Sequence, residues 1–336
     1  MQLQKQKIAV QNHPNDANGL QVKLEEVILG DITNVFFSYP KLEGITNATI
    51  NLNKINDQFS LNINSTINQF SFNSTLLGNT TLNAAYDDKT GIVPFDLNCP
   101  NSSYHLAAKG SYAIKDSLNP LDATLTLQES DFGLIQEFIG GVLTDLKGKA
   151  TGAIHFGGRI ENPDLRGVAT IKDAAFKVDY TKVNYFLPTA TLQFTDEGID
   201  FGTIQVQDKL NRVAQFKGKI LHQRFKHLVY DMDMQSSKIE LLNTDVIDNS
   251  SFYGQAVGKA SMTIRGPEEN IKMSINAEVN DSSHIYLPNA TSKETGQSEF
   301  IVFKKIGKSI ISNAETPTYN LVVDLDVSAD NKTQID

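Results

Sequence analysis

The chain has 336 residues, 40% of them hydrophobic and 21% charged, with a net charge of −9 and a single cysteine. That composition excludes a disordered chain, a disulfide or thiolate-cage scaffold, and a nucleic-acid reader, whose phosphate contacts need a basic stripe. No run approaches the ~20 apolar residues of a membrane-crossing helix, and the amino terminus, MQLQKQKIAVQNHPN, carries no basic-then-apolar leader.

Residues 1–45 give weak strand signals, first in Leu20, Val22 and Leu24 and then from Ile32 to Phe37. From Ala48 onward, apolar residues alternate with Asn, Ser or Thr at period two, the pattern of half-buried strands. Ile50 and Leu52 share a face, as do Phe59, Leu61 and Ile63, and then Phe70 and Phe72. Breaks at Asn56-Asp57, Gly78-Asn79 and Asp87-Asp88 fall at hairpin spacing, and residues 121–127 continue the series. Cys99 reads as a small buried hydrophobe. Phe132 to Leu143 predicts the one helix, with Phe132, Ile135, Ile139 and Leu143 along one face and Ser130-Asp131 as its cap.

Two stretches then repeat one construction. GKATGAIHFG runs from Gly148 through Gly152 to Gly157, and YGQAVGKASMTIRGP carries Gly254, Gly258 and Gly266. Each has G-x-x-x-G, an alternating strand, a glycine, and a turn rich in Pro and Asn. Glycine at these positions lets a neighbouring backbone approach closely or the sheet bend. Between and after the copies, same-face sets recur: Leu192 and Phe194; Ile204 and Val206; Phe216 and Ile220; Tyr230, Met232 and Met234; Met262 and Ile264; Met273 and Ile275. Residues 319–327 make the last clear alternating strand, and because no cap follows it the chain is expected to be a piece of something longer.

Signs of catalysis are few. His222 and His227 lack the helical spacing of a zinc-protease pair, and no nucleophile elbow, phosphate loop or dinucleotide fingerprint occurs. Asp231 and Asp233 alternate with Met232 and Met234, so the carboxylates read as a solvated face rather than a metal site. The Asn-x-Ser/Thr triplets at Asn64, Asn73, Asn79 and Asn249 follow from an Asn-rich composition. No cofactor and no metal is expected, and the chain is expected not to be an enzyme.

What remains is a long sheet with one apolar face. If it curls without closing, that face becomes a trough for alkyl chains, which phenylalanine and methionine suit. If it closes, the face is ordinary core.

From about Leu134 the order of motifs resembles the carboxy-terminal domain of the TamB family, the translocation and assembly module relatives of AsmA-like proteins. The resemblance rests on the short helix ending GGVL, then GKATGAIHFGGRIENPDLRG, YFLPTATLQFTDEGIDFGTIQVQD, FKGKILHQRFKHLVYDMDM, IELLNT and FYGQAVGKASMTIRGPEENIKMSINA, in that order. It implies an all-β, elongated, curled antiparallel sheet (a β-taco) with an apolar groove. Residues 1–130 would be a repetitive groove region, and 131–336 a truncated TamB-like domain continuous with it. It also implies a periplasmic setting between inner and outer membranes, phospholipid acyl chains as cargo, and an Omp85-type outer-membrane partner for the full-length protein. The inner-membrane anchor and the final docking strands of such proteins are not recognisable here. The groove candidates are the same-face residues named above, from Leu192 to Ile275. Two other readings stand beside lipid carriage: assembly of secreted or outer-membrane proteins by strand addition, and a structural β-solenoid.

Overall fold

The computed structural model describes residues 6–16, 18–35, 41–55, 58–72, 75–100, 103–135, 143–159, 162–223, 226–250, 252–280, 283–286, 321–329 and 333–335. Among them are nineteen strands and one α-helix of five residues. The expected all-β, largely antiparallel architecture is the one that forms.

The chain divides into two compact units, residues 1–138 with 149–170, and residues 139–148 with 171–336. The first contains β1 (Lys7–Asn12), β2 (Leu20–Ile28), α1 (Leu29–Thr33), β3 (Leu42–Ile55), β4 (Gln58–Phe72), β5 (Thr75–Asp87), β6 (Ile92–Pro100), β7 (His105–Ala113) and β8 (Leu121–Asp131). Two strands, β9 (Leu143–Arg159) and β10 (Asn162–Val178), contribute residues to both units. Consecutive strands pair antiparallel from β1 to β9, as short hairpin breaks dictate.

The core of the first unit follows a line of β-bulges. Glu26, Gln69 and Glu129 have φ of 54°, 52° and 52°. Each sits where the ladder slips, between Leu24 and Val27, Ile67 and Phe70, and Leu127 and Ser130. A side chain of the following strand takes each displaced N–H: Asn47 Oδ1 accepts from Glu26 at 3.0 Å, Asn79 Oδ1 from Gln69 at 3.4 Å, and Thr151 Oγ1 from Glu129 at 3.1 Å. A bulge bends its strand, and the residues flanking these three are among the most buried: Val27 and Ile67 at 2% exposure, Ser130 at 0%. Ile67, Phe70, Leu77, Cys99 and Leu106 pack with Leu29 of α1 into one cluster. Burying side chains of this kind contributes roughly 1.5–3 kcal/mol each. Cys99 is fully buried, its thiol donating to the Leu77 carbonyl.

Two local expectations are corrected. Ile32 belongs to α1 rather than to a strand, and Phe36 and Phe37 lie outside the described residues. The helix expected over 132–143 is a 3-10 turn at Phe132–Ile135, and Leu143 already opens β9, while 136–142 lie outside the described residues. Its cap is real at the start, where the Asp131 carboxylate accepts the Gly133 N–H at 2.8 Å. The i, i+3, i+7 spacing is weakened by Gly140-Gly141, which are poor helix formers.

The second unit contains β11 (Val183–Phe194), β12 (Gly198–Asp208), β13 (Val213–Gln223), β14 (Lys226–Thr244), β15 (Tyr253–Pro267), β16 (Ile271–Val279), β17 (His284–Tyr286), β18 (Leu321–Ala329) and β19 (Gln334–Ile335). Antiparallel pairing again runs in order from β11 to β16. The last two strands depart from it: β18 lies parallel to β16, and β19 parallel to β17. The connection from Tyr286 to Leu321 exceeds the dozen or so residues a parallel crossover needs.

The repeat is a repeat of structure. Gly148 on β9 and Gly254 on β15 share a φ near 130° (129° and 130°). Four residues on, a Cβ on Gly152 would collide with the Val168 carbonyl of β10, and one on Gly258 with the Glu278 carbonyl of β16. A Cβ on Gly266 would come within 2.7 Å of the Asn270 carbonyl oxygen, whereas one on Gly157 would meet only a His155 ring atom at 3.4 Å, so Gly157 has room for a side chain.

Candidate functional site

In the second unit the register aligns the sequence-derived groove candidates into rows. Ile204 faces Phe216, Phe216 faces Met234, Met234 faces Met262, and Met262 faces Ile275. Directly opposed residues lie on the same side of a sheet, so these five form one apolar row across five strands. A parallel row runs Met232, Ile264, Met273, with Gly218 opposite Met232 on β13. A third joins Phe194, Ile199, Ile220 and Tyr230. Val206 faces Ala214 farther along the first side. Leu192 lies two positions before Phe194, in a stretch of β11 to which no β12 partner is assigned. The backbone of β18 lies in register beside β16, with position 323 opposite Met273 and position 325 opposite Ile275. Val206 and Met232 are buried at 8% exposure, and Phe216, Met234, Met262, Ile264, Met273 and Ile275 are half-buried.

The alternate positions make a polar face. Lys217, Asp233 and Thr263 align, as do Lys219, Asp231, Arg265 and Lys272. The Arg265 guanidinium meets Asp231 at 3.2 Å and Asp233 at 2.7 Å, and also donates to the Met232 carbonyl. Both carboxylates are therefore answered by a cation of the sheet itself. Half-exposed pairs of this kind contribute about 0–1 kcal/mol each. Among the described residues, no three His, Cys, Asp or Glu side chains stand close enough to hold a metal ion, and no helix is long and apolar enough to cross a membrane.

At one end of the rows the surface becomes ionic, which alternation alone did not reveal. β14 continues past its last partner on β13, which is opposite Gln235. Other groups satisfy the extension. Ser236 donates to the Val213 carbonyl at 2.7 Å, Asp208 accepts the Glu240 N–H at 2.9 Å, Tyr185 donates to the Glu240 carbonyl at 2.8 Å, and the Asn243 N–H reaches Thr181 O at 2.9 Å. Asp208 also accepts from Leu210 N–H at 2.9 Å, Arg212 N–H at 3.1 Å and Arg212 Nε at 2.6 Å. Burial pushes the Asp208 carboxyl up, but the hydrogen bonds from Glu240, Leu210 and Arg212 more than reverse this and hold it below its ordinary range. Burial, reinforced by Glu240 and Asp208, holds the Tyr185 phenol well above its own. The buried Glu240 carboxylate pairs with Lys209 at 2.8 Å. The sequence signal was the strand-end Asp of QDKLNR, a residue type that binds its own turn backbone.

β11 and β12 are paired only at their ends. Tyr185 and Phe186 face Asp208 and Gln207, and Gln193 and Phe194 face Asp200 and Ile199. In β11 the buried positions Val183 and Leu187 are followed by Ala190, so the inward face switches at Pro188-Thr189. Pro188 offers no N–H to a ladder. In β12, Gly202 has φ 58° and the register against β13 slips between Asp200 and Thr203. With both strands irregular, a recess of about 330 Å³ lies along their middle, lined by Thr189–Thr191, Gln193 and Asp200–Ile204.

The family model described as the TamB C-terminal domain matches residues 202–336. That span holds every groove candidate except Leu192 and Phe194. No curated protein and no solved structure matches the chain.

Proposed function

We propose that this chain, whose residues 202–336 match the family model described as the TamB C-terminal domain, is a non-catalytic lipid conduit of the periplasm. Its apolar face carries phospholipid acyl chains between inner and outer membranes, and the full-length protein works with an Omp85-type outer-membrane protein. The observation that supports this most is the row Ile204, Phe216, Met234, Met262, Ile275, continuous over five strands and half-buried rather than sealed. At ~4.8 Å per strand the row runs for roughly 19 Å, and the chains of one bilayer leaflet reach about 15 Å. Movement along such a face makes and breaks no bonds; it needs only even apolar contact, which flexible methionines supply.

The test is native mass spectrometry with lipid extraction on the chain purified from a bacterial host. Wild type should carry phospholipid. Phe216→Glu and Met234→Glu should lose most of it, and Lys272→Gln, on the opposite face, should keep it. A lipid-free, fully stable wild type sinks the reading and favours a closed solenoid. Loss of function confined to proline substitutions in edge strands, with groove charges tolerated, favours strand addition instead.

A further inference from the structure

Building on that reading, we propose that the recess lined by the middles of β11 and β12 is a head-group port, which takes the polar end of a bound phospholipid and prefers one with a primary amine beside its phosphate. The recess joins two unlike surfaces. On the apolar side lie Ile204 and Phe201, whose ring meets Phe216 edge-on at 6.2 Å. On the polar side lie Thr189, Thr191, Gln193, Asp200 and Thr203. An amphiphile whose chain rests on the Ile204–Phe216 row has its polar end at this recess.

The chemistry of the rim sets the preference. Between the paired ends of β11 and β12 the register assigns no cross-strand pairs of Leu187–Leu192 with Phe201–Val206, so backbone N–H and C=O groups beside the recess lack the regular ladder. Such groups demand a hydrogen-bonding occupant, water or ligand. Three threonine hydroxyls add donors and acceptors. Asp200, whose Oδ1 already accepts the Gly202 N–H at 2.7 Å, retains a second carboxylate oxygen for an ammonium group. On the next strand Lys219 stands opposite Asp200 and Lys217 opposite Thr203, within cross-strand reach of a phosphate at the same rim. A volume of about 330 Å³ sits at the small end of the range for ligand sites. Gly202 has nothing within 4 Å of where a Cβ would stand, so space continues into the port at that residue.

The experiment loads the whole chain from vesicles holding equal amounts of phosphatidylethanolamine and phosphatidylglycerol, then counts bound lipids by class with native mass spectrometry. Wild type should enrich the amine lipid on the order of tenfold, the value of one charge-assisted hydrogen bond. Asp200→Asn keeps an oxygen for the Gly202 N–H and should abolish the enrichment while total lipid is unchanged. Gly202→Asn, a residue that tolerates φ > 0, fills the port and should do the same. Bound lipid at the vesicle ratio in wild type, or enrichment that survives both substitutions, overturns the port and leaves the groove standing. An empty wild type overturns the groove reading itself.

Discussion

The carboxylate of Asp208 accepts the backbone N–H of Glu240, 32 residues away in sequence, at 2.9 Å. A side chain thus does for the overhanging edge of β14 what a further strand of backbone would do. Without it the Glu240 N–H, the Leu210 and Arg212 N–H groups and the Arg212 guanidinium all lose one buried partner. Asp208→Ala should cost about 3–5 kcal/mol, the range for breaking a buried ion pair from one side. Tyr185→Phe, which removes one hydroxyl from the Glu240 carbonyl, should cost about 1 kcal/mol. Urea unfolding followed by circular dichroism measures both, and equal effects would show that the cluster is not organised around Asp208.

The same carboxylate predicts how stability responds to acid. Its folded pKa lies below the 3.8 of a free side chain, so its contribution is complete above that unfolded value and is lost as pH falls through the folded one. The stability gap between wild type and Asp208→Asn should be widest near neutral pH and narrow below about pH 4. A gap that is constant from pH 7 to pH 2.5 would contradict the assignment.

Substitutions at the bulges should invert the usual preferences of strands. Gln69 holds φ 52°, where a β-branched side chain is strained. Gln69→Val should therefore lose about 1–2 kcal/mol although valine is a strong strand former. Gln69→Asn should be close to neutral. Asn79→Ala, which strips the acceptor from the Gln69 N–H, should lose about 0.5–1.5 kcal/mol. Thermal melts of the three variants give the order.

Glycines of the repeat should separate into two classes. A methyl group at Gly152 or Gly258 strikes the backbone of the next strand, whereas at Gly157 it meets only a movable His155 ring at 3.4 Å. Gly152→Ala and Gly258→Ala should be destabilised by several kcal/mol, beyond the ordinary 1–3 kcal/mol of overpacking. Gly157→Ala should change little. Comparable denaturation midpoints for all three would remove the close-approach argument.

Period-two alternation was enough to place Met232 and Met234 on one face and Asp231 and Asp233 on the other, because a strand admits only two sides. The register then showed that these faces continue from strand to strand, a relation that no single strand contains. What alternation misses are the residues that break it. Glu26, Gln69 and Glu129 look like ordinary polar strand positions until their φ is known, and Asn47 and Asn79 look like solvated partners until they are seen to accept the displaced N–H groups. Asp208 and Glu240 meet only because β14 outruns β13, and strand length is a boundary that propensity resolves poorly. At Phe132 the spacing favoured a helix, whereas the described residues form a 3-10 turn at Phe132–Ile135 and a strand from Leu143.

The bulges of the first unit have a consequence for how such a protein changes length over evolutionary time. Each bend is encoded by a residue on one strand and its acceptor on the next: Glu26 with Asn47, Gln69 with Asn79, Glu129 with Thr151. The inheritable module is then a pair of strands. A duplication or loss of one such pair leaves every neighbouring fold line in place and every later strand pointing the same way. A change by a single strand reverses all that follow and parts a bulge from its acceptor. Related chains should therefore differ in reach by even numbers of strands.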